Sequence, residues 1–220
     1  MEQKPKRKPK NPIHFQIQLT GEQAQAKQTI LENKITVLRG KAGTGKTAVS
    51  AIAALDLLFT REVERIVITR PTVTAGEEIG FMPGNIDSKL APFMAPLLES
   101  MYSIYGAERI DGLVQEGRVE IIPVAFMRGR NLKNCAIVID EAANITNKQM
   151  ELLLGRFCKG SKMIICGDAR QCDLKDPKQS GFEFMCDSLR LIKDCAVVTL
   201  QENHRDEVVE DILKVYEARK

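Results

Sequence analysis

Gly40-Lys41-Ala42-Gly43-Thr44-Gly45-Lys46-Thr47 decides how the rest of this 220-residue sequence is read. It is a complete G-x-x-x-x-G-K-[ST] phosphate loop. The apolar run before it, Ile35 to Leu38, predicts a strand, and the run after it, Ala48 to Phe59, predicts a helix, which is the context such a loop needs. The glycines let the backbone curl so that its N–H groups face phosphate oxygens, while the helix opening near Lys46 offers the positive end of its dipole. Residues Gly40, Lys41, Ala42, Gly43, Thr44, Gly45, Lys46, Thr47 and Ala48 are therefore the candidate phosphate-binding set. Lys46 is expected to reach the β- and γ-phosphates and Thr47 to hold Mg²⁺ through its hydroxyl.

Working outward, the same alternation of strand and helix recurs. Arg65 to Thr69 is a β-branched strand ending in Thr69-Arg70-Pro71, which leaves Arg70 at the carboxyl end, where ligands sit in open parallel sheets. Cys135 to Ile139 is a fully apolar strand, followed by a helical stretch from Asn147 to Cys158. Strands Met163 to Cys166 and Ala196 to Leu200 alternate with helices Gly181 to Ile192 and Asp206 to Arg219. These repeated β-α units predict a mainly parallel sheet with helices on both faces. From Thr72 to Asn134 the pattern is broken by Gly76, Gly80, Pro83, Gly84, Pro92 and Pro96, with Val119 to Val124 as the clearest regular piece. That stretch reads as an insertion on the sheet, and Phe81-Met82-Pro83 within it is open to local packing or to a partner surface.

Several strand ends carry polar groups suited to a bound triphosphate. Asp140 and Glu141 close the buried strand; Asp140 can hold Mg²⁺, and Glu141 can orient or deprotonate an attacking water. Gly167-Asp168-Ala169-Arg170-Gln171 follows the next strand, placing Asp168 and Gln171 on the same edge, near the γ-phosphate or the water. After the last strand, Glu202-Asn203-His204-Arg205 supplies Arg205, open either to neutralising charge on the transferring phosphoryl group or to a surface ion pair. At the other end, Thr20 and Gln23 have the spacing of a capping box, and the Gln23 amide could equally read an adenine edge.

Composition limits the alternatives. A hydrophobic fraction of 44% and a charged fraction of 28% describe an ordinary globular chain. No apolar run approaches the roughly 20 residues that cross a bilayer, and the first twelve residues lack the apolar centre of a secretory signal, so the expected location is cytoplasmic. Six cysteines without a C-x-x-C pair, and two distant histidines, argue against a zinc site, and several of the cysteines fall in apolar runs where they are expected to pack as small hydrophobes. The net charge of +3 does not by itself call for nucleic acid. Its only concentration is Lys4, Lys6, Arg7, Lys8 and Lys10, a solvated tail or a weak contact to RNA phosphates. The expected organisation is a basic tail over 1–12 and one domain over 13–220, with the insertion at about 72–134.

With these residues assembled, the sequence resembles the PhoH-like family of ATPases, itself similar to a single motor domain of superfamily 1 helicases. The resemblance spans Thr20 to Glu217. It rests on the phosphate loop, on Thr69-Arg70-Pro71 with Ala75-Gly76-Glu77 and Gly80-Phe81-Met82-Pro83-Gly84, and on Met127-Arg128-Gly129-Arg130. Asp140-Glu141-Ala142, Gly167-Asp168 with Gln171 and Asp173, and Ser180-Gly181 complete it. It implies a RecA-like P-loop domain that binds ATP and Mg²⁺ and hydrolyses ATP, with Gln23 at the adenine and Arg205 at the family's late arginine. It further implies single-stranded RNA as a partner and a ring-forming homo-oligomer, a hexamer, that completes each site with a neighbour's arginine. One departure stands out: the family usually has glutamine between Ala142 and Asn144, where this chain has Ala143. Two other readings share the loop, namely a small-molecule phosphotransferase and a nucleotide-gated binding protein with little turnover.

Overall fold

Every strand expected from a short apolar run forms, because the runs are rich in β-branched residues and bounded by polar or turn residues. In a computed structural model, which describes residues 15–71 and 86–217, the strands are β1 (Ile35–Gly40), β2 (Arg65–Thr69), β3 (Val119–Ile121), β4 (Cys135–Ile139), β5 (Lys162–Gly167) and β6 (Cys195–Leu200). They form one sheet in the order β3-β2-β4-β5-β1-β6, and every pairing is parallel. The helices are α1 (Gly21–Glu32), α2 (Lys46–Phe59), α3 (Ile86–Tyr105), α4 (Ala107–Gln115), α5 (Asn147–Leu154), α6 (Gly181–Ser188) and α7 (Glu207–Glu217). The helix expected to reach Cys158 thus stops at Leu154, and the one expected to reach Ile192 gives way to a 3-10 turn, Leu189–Leu191.

Alternation along each strand sorts the core into two layers. Leu38, Ile66, Ile68, Ala136, Val138, Ile164 and Cys166 face one way, where residues of α1, α2, α3 and α4 cover them. Val37, Val67, Ile137, Ile139, Met163 and Ile165 face the other way, against Met150 and Leu153 of α5 and Phe182, Met185 and Cys186 of α6. Burial on both faces explains why β4 reads as an unbroken apolar run.

The described part of the 72–134 stretch contributes to this core. α3 runs through Pro92 and Pro96, the residues that looked like breakers, and α3 and α4 bury Leu97, Met101, Ile104, Ile110 and Leu113 in the first layer. β3 is shorter than the expected Val119 to Val124, since Val124–Phe126 turns into a 3-10 helix. The basic tail, Ala75-Gly76-Glu77 and the Gly80 to Gly84 run lie outside the described residues.

Register brings the functional ends level. Leu38 and Arg39 of β1 lie beside Cys166 and Gly167 of β5, and Thr69 of β2 lies beside Ile139 of β4. β5 separates β1 from β4, so the phosphate loop, Asp168 and the Asp140-Glu141 pair leave three adjacent strands at one edge of the sheet. Gly167 permits this closeness: a Cβ there would stand 2.7 to 2.9 Å from the Phe182 ring packed beneath the turn.

Candidate active site at the carboxyl edge of the sheet

The loop folds as a cradle because two of its glycines take left-handed backbone, with φ of +91° at Gly43 and +80° at Gly45, the latter capping α2. Thr44 ties the turn down, its N–H and hydroxyl both donating to the Lys41 carbonyl at 3.3 and 2.9 Å. Lys46 Nζ donates to the carbonyls of Gly40 and Lys41, each at 2.8 Å, which keeps the ammonium inside the loop. Burial holds the Lys46 pKa below its ordinary value, opposed by the nearby Asp168 carboxylate. One loop donor already meets an anion, since the Ala42 N–H donates to Asp168 Oδ2 at 3.1 Å.

Beside the loop, Thr47 donates its hydroxyl hydrogen to Asp140 Oδ1 at 3.2 Å. Asp140 is buried, and desolvation raises its pKa against the pull of Arg70. A hydroxyl and a carboxylate this close form a hard oxygen pair of the kind that suits Mg²⁺. Glu141 is a non-glycine residue at φ +48°, a turn that swings its carboxylate away from the strand line and onto the Arg70 guanidinium, with which it forms a hydrogen-bonded ion pair. Burial raises the Glu141 pKa, and Arg70 is the main opposing influence. Arg70 was expected at this edge; its engagement of Glu141 was not.

α1 and the segment after β6 close the other side. Gln23 takes the capping role and adds a contact that the sequence did not announce: its Oε1 accepts the Thr20 N–H at 3.2 Å, as a capping box requires, and its Nε2 donates to the Thr44 carbonyl at 3.2 Å. Its neighbour Glu22, which sequence reasoning passed over, accepts the backbone N–H groups of Gln201 and Glu202 at 2.9 to 3.0 Å. The strap so held reaches the loop, where the His204 N–H donates to the Gly43 carbonyl at 3.1 Å. Arg205 lies over the same glycine, its Cγ and Cδ 2.7 and 2.9 Å from where a Gly43 Cβ would stand.

The remaining candidates divide. Asp168 is drawn to the loop and also accepts the Arg170 N–H, whereas Gln171 is exposed, its backbone N–H donating to the Asp168 carbonyl. Asn144 Oδ1 accepts the Asp173 N–H at 2.6 Å and Ser180 donates to the Ala143 carbonyl at 2.8 Å, so the turn after β5 is fastened to the turn after β4. Ala143 itself is 2% exposed, within the apolar layer, and offers nothing to a ligand at the position where the family resemblance has glutamine. Among the described residues no cluster of His, Cys, Asp or Glu has the form of a metal cage, all six cysteines are free thiols, and no helix is long and apolar enough to cross a membrane.

Comparison with known proteins adds a family and a fold. The profile of the family described as PhoH-like protein matches residues 17–217. A PhoH-like protein of Synechocystis sp. is 38% identical over 200 residues, covering 90% of this chain and 61% of the relative. One of Mycobacterium tuberculosis is 40% identical over 186 residues, covering 84% and 53%, and protein PhoH of Escherichia coli is 34% identical over 188, covering 84% and 52%. The chain thus spans about half to three-fifths of the length of these curated relatives. Among solved structures, the large terminase of a thermophilic bacteriophage superposes with a TM-score of 0.58 at 11% identity, over 90% of this chain and 50% of that one. The Pif1 helicase of Candida albicans gives 0.50 at 20% identity, over 90% and 44%. At such identities these two likenesses bear on the fold alone, which is the RecA-like α/β fold expected from the sequence.

Proposed function

The chain belongs to the PhoH-like protein family, and from that premise we propose that it binds ATP with Mg²⁺ and hydrolyses it to ADP and phosphate. The observation that carries the reading is the meeting of Lys46, Thr47, Asp140, Glu141 and Asp168 at the ends of three adjacent strands. The loop amides and Lys46 bind the β- and γ-phosphates, Lys46 leaving the Gly40 and Lys41 carbonyls for phosphate oxygens. Asp168 gives up the Ala42 N–H to the same phosphates and turns toward the γ end, beside Gln171. Thr47 and Asp140 hold Mg²⁺, whose charge offsets that developing on the β- and γ-oxygens. Glu141, once free of Arg70, orients the attacking water and accepts its proton. Arg205, already over Gly43, neutralises charge on the phosphoryl group, and Gln23 reads the adenine edge by exchanging its Thr44 contact for the base.

The finer reading is of a cytoplasmic protein that couples this turnover to single-stranded RNA, working as a homo-oligomeric ring, with six copies as the family resemblance implies. The basic tail supports the RNA contact. Water is favoured over a phosphotransferase acceptor because two carboxylates, Asp140 and Glu141, stand at the γ-phosphate end. A low-turnover, nucleotide-gated protein is the second reading, and the engagement of Glu141 by Arg70 favours it as a resting state.

Phosphate release with and without single-stranded RNA tests both. Lys46→Ala is expected to lower release by on the order of 10²-fold or more, and Glu141→Gln by about 10²- to 10⁴-fold while ATP still binds. Unchanged release from Lys46→Ala would remove the mechanism. Tight ATP binding without release, with RNA present or not, would favour the gated protein.

A further inference from the structure

Each carboxylate at the edge of the sheet has a partner within the chain. Asp140 meets Thr47, Glu141 meets Arg70, and Asp168 meets the phosphate loop itself. The last is the unusual one, because Asp168 takes a donor suited to a phosphate. Its Oδ2 accepts the Ala42 N–H at 3.1 Å, and no other charged side chain acts as strongly on Lys46. A loop amide and the loop lysine are the partners a phosphoryl oxygen would have. The Asp168 side chain is 10% exposed, so the carboxylate is set into the site rather than laid across it.

The direction of a triphosphate in this site says which phosphate Asp168 resembles. Strands run β4-β5-β1-β6, with the loop leaving β1. Gln23 lies toward β6, since its neighbour Glu22 holds the segment that follows that strand. Asp140 and Asp168 leave β4 and β5 on the other side. A nucleotide with its base at Gln23 and its metal at Thr47 and Asp140 therefore points its γ-phosphate toward Asp168. The β-phosphate lies against the amides where α2 opens at Lys46, and Ala42 stands four residues before that opening. The backbone at Asp168 is fixed: Gly167 packs on the Phe182 ring, and the Asp168 carbonyl accepts the Gln171 N–H at 2.9 Å. Leaving the loop is thus a rotation of the side chain, not a movement of β5.

We infer that Asp168 occupies the γ-phosphate position on the loop and competes with that phosphate for the Ala42 N–H. Two anions at one donor repel each other, so ATP turns Asp168 aside whereas ADP leaves it in place. The competition narrows the difference in affinity between ATP and ADP, and after hydrolysis the returning carboxylate keeps phosphate from rebinding. The inference rests on the ATP binding of the proposed function and gives Asp168 the choice between substrate and product.

Calorimetric titration of the full chain, in Mg²⁺, with the non-hydrolysable ATP analogue AMP-PNP and with ADP tests it without turnover as a readout. Asp168→Asn removes the charge but keeps an oxygen for the Arg170 N–H, so the turn is preserved. It is expected to bind AMP-PNP about 10-fold more tightly, the scale of one charge-assisted hydrogen bond, and ADP no more than about 2-fold more tightly. Asp168→Ala, which removes the acceptor as well, is expected to move the ratio the same way, and ADP binding shows that each variant is folded. In the wild type, AMP-PNP should shift the carbon resonance of the Asp168 carboxylate and ADP should leave it near its position in the free protein. Equal changes for the two nucleotides would reduce Asp168 to a part of its turn and overturn the inference. Weaker binding of AMP-PNP to Asp168→Asn would overturn it too, by making the carboxylate a support for the triphosphate. A wild type that binds neither nucleotide would remove the proposed function along with it, which separates that failure from the others.

Discussion

Gly45 shows how tightly the loop depends on one missing methyl group. Its φ of +80° is left-handed, and a Cβ there would collide with Gln23 Nε2, the atom that donates to the Thr44 carbonyl. Gly45→Ala is therefore expected to destabilise the chain by about 1 to 2 kcal/mol from the backbone alone, with a further loss from displacing Gln23. In a Gln23→Ala background the second part should vanish, so urea unfolding of the four variants should show the two substitutions coupled. Equal costs in both backgrounds would mean that the Gln23 amide does not rest on the loop. Gln23 also marks how far the sequence could be read here. The Thr20–Gln23 spacing announced the cap; that the same amide also rests on the loop depends on α1 crossing the loop, which no local pattern encodes. Arg70 is similar. Its place at the end of β2 was legible, but its ion pair with Glu141 follows from β2 lying beside β4 and from the left-handed turn at Glu141.

At the scale of elements, α1 acts on the loop by two adjacent side chains: Gln23 directly, and Glu22 through the strap that follows β6. If Glu22 positions Arg205 in this way, Glu22→Ala should free the Gln201 and Glu202 amides, raising their hydrogen exchange, and should lower phosphate release by roughly 10-fold, the scale of losing about 1.4 kcal/mol of charge-assisted hydrogen bonding. In an Arg205→Ala background the same substitution should lower release little further. Additive losses would separate Glu22 from Arg205. Glu22 gave no signal in the sequence because its partners lie 179 and 180 residues away. α3 was missed for the opposite reason, an excess of local signal. Pro92 and Pro96 argue against a helix interior, yet the helix gains from burying Leu97, Met101 and Ile104 against α2 and the sheet, and packing outweighs propensity. Strands were the most legible elements, since burial on both faces leaves unbroken apolar runs that turn residues delimit.

On the scale of the whole molecule, two apolar layers share one sheet, and each contains a fully buried cysteine: Cys166 in the layer of α1 to α4, Cys186 in the layer of α5 and α6. Burial pushes the Cys166 thiol up to about 12 and the Cys186 thiol up to about 11. Because the folded values lie above that of an unfolded thiol, about 8.5, the native state keeps protons that the unfolded chain releases. Stability from these groups is complete below that pH and falls as pH rises from there toward 11 and 12. Near pH 8.5 the Cys166 thiolate fraction is on the order of 10³ lower than in an unfolded chain, so alkylation there requires opening. In principle the two faces could open separately, since the sheet stands between them. The strands argue otherwise: each of β1, β2, β4 and β5 buries residues in both layers, so losing either layer exposes the strands that hold the other. Iodoacetamide labelling of Cys166 and Cys186 in moderate urea, followed by mass spectrometry, should therefore give one shared rate constant. Faster labelling of Cys186 would show the α5–α6 layer to be a separate unit, one that could loosen while α1, α2 and the phosphate loop stay in place.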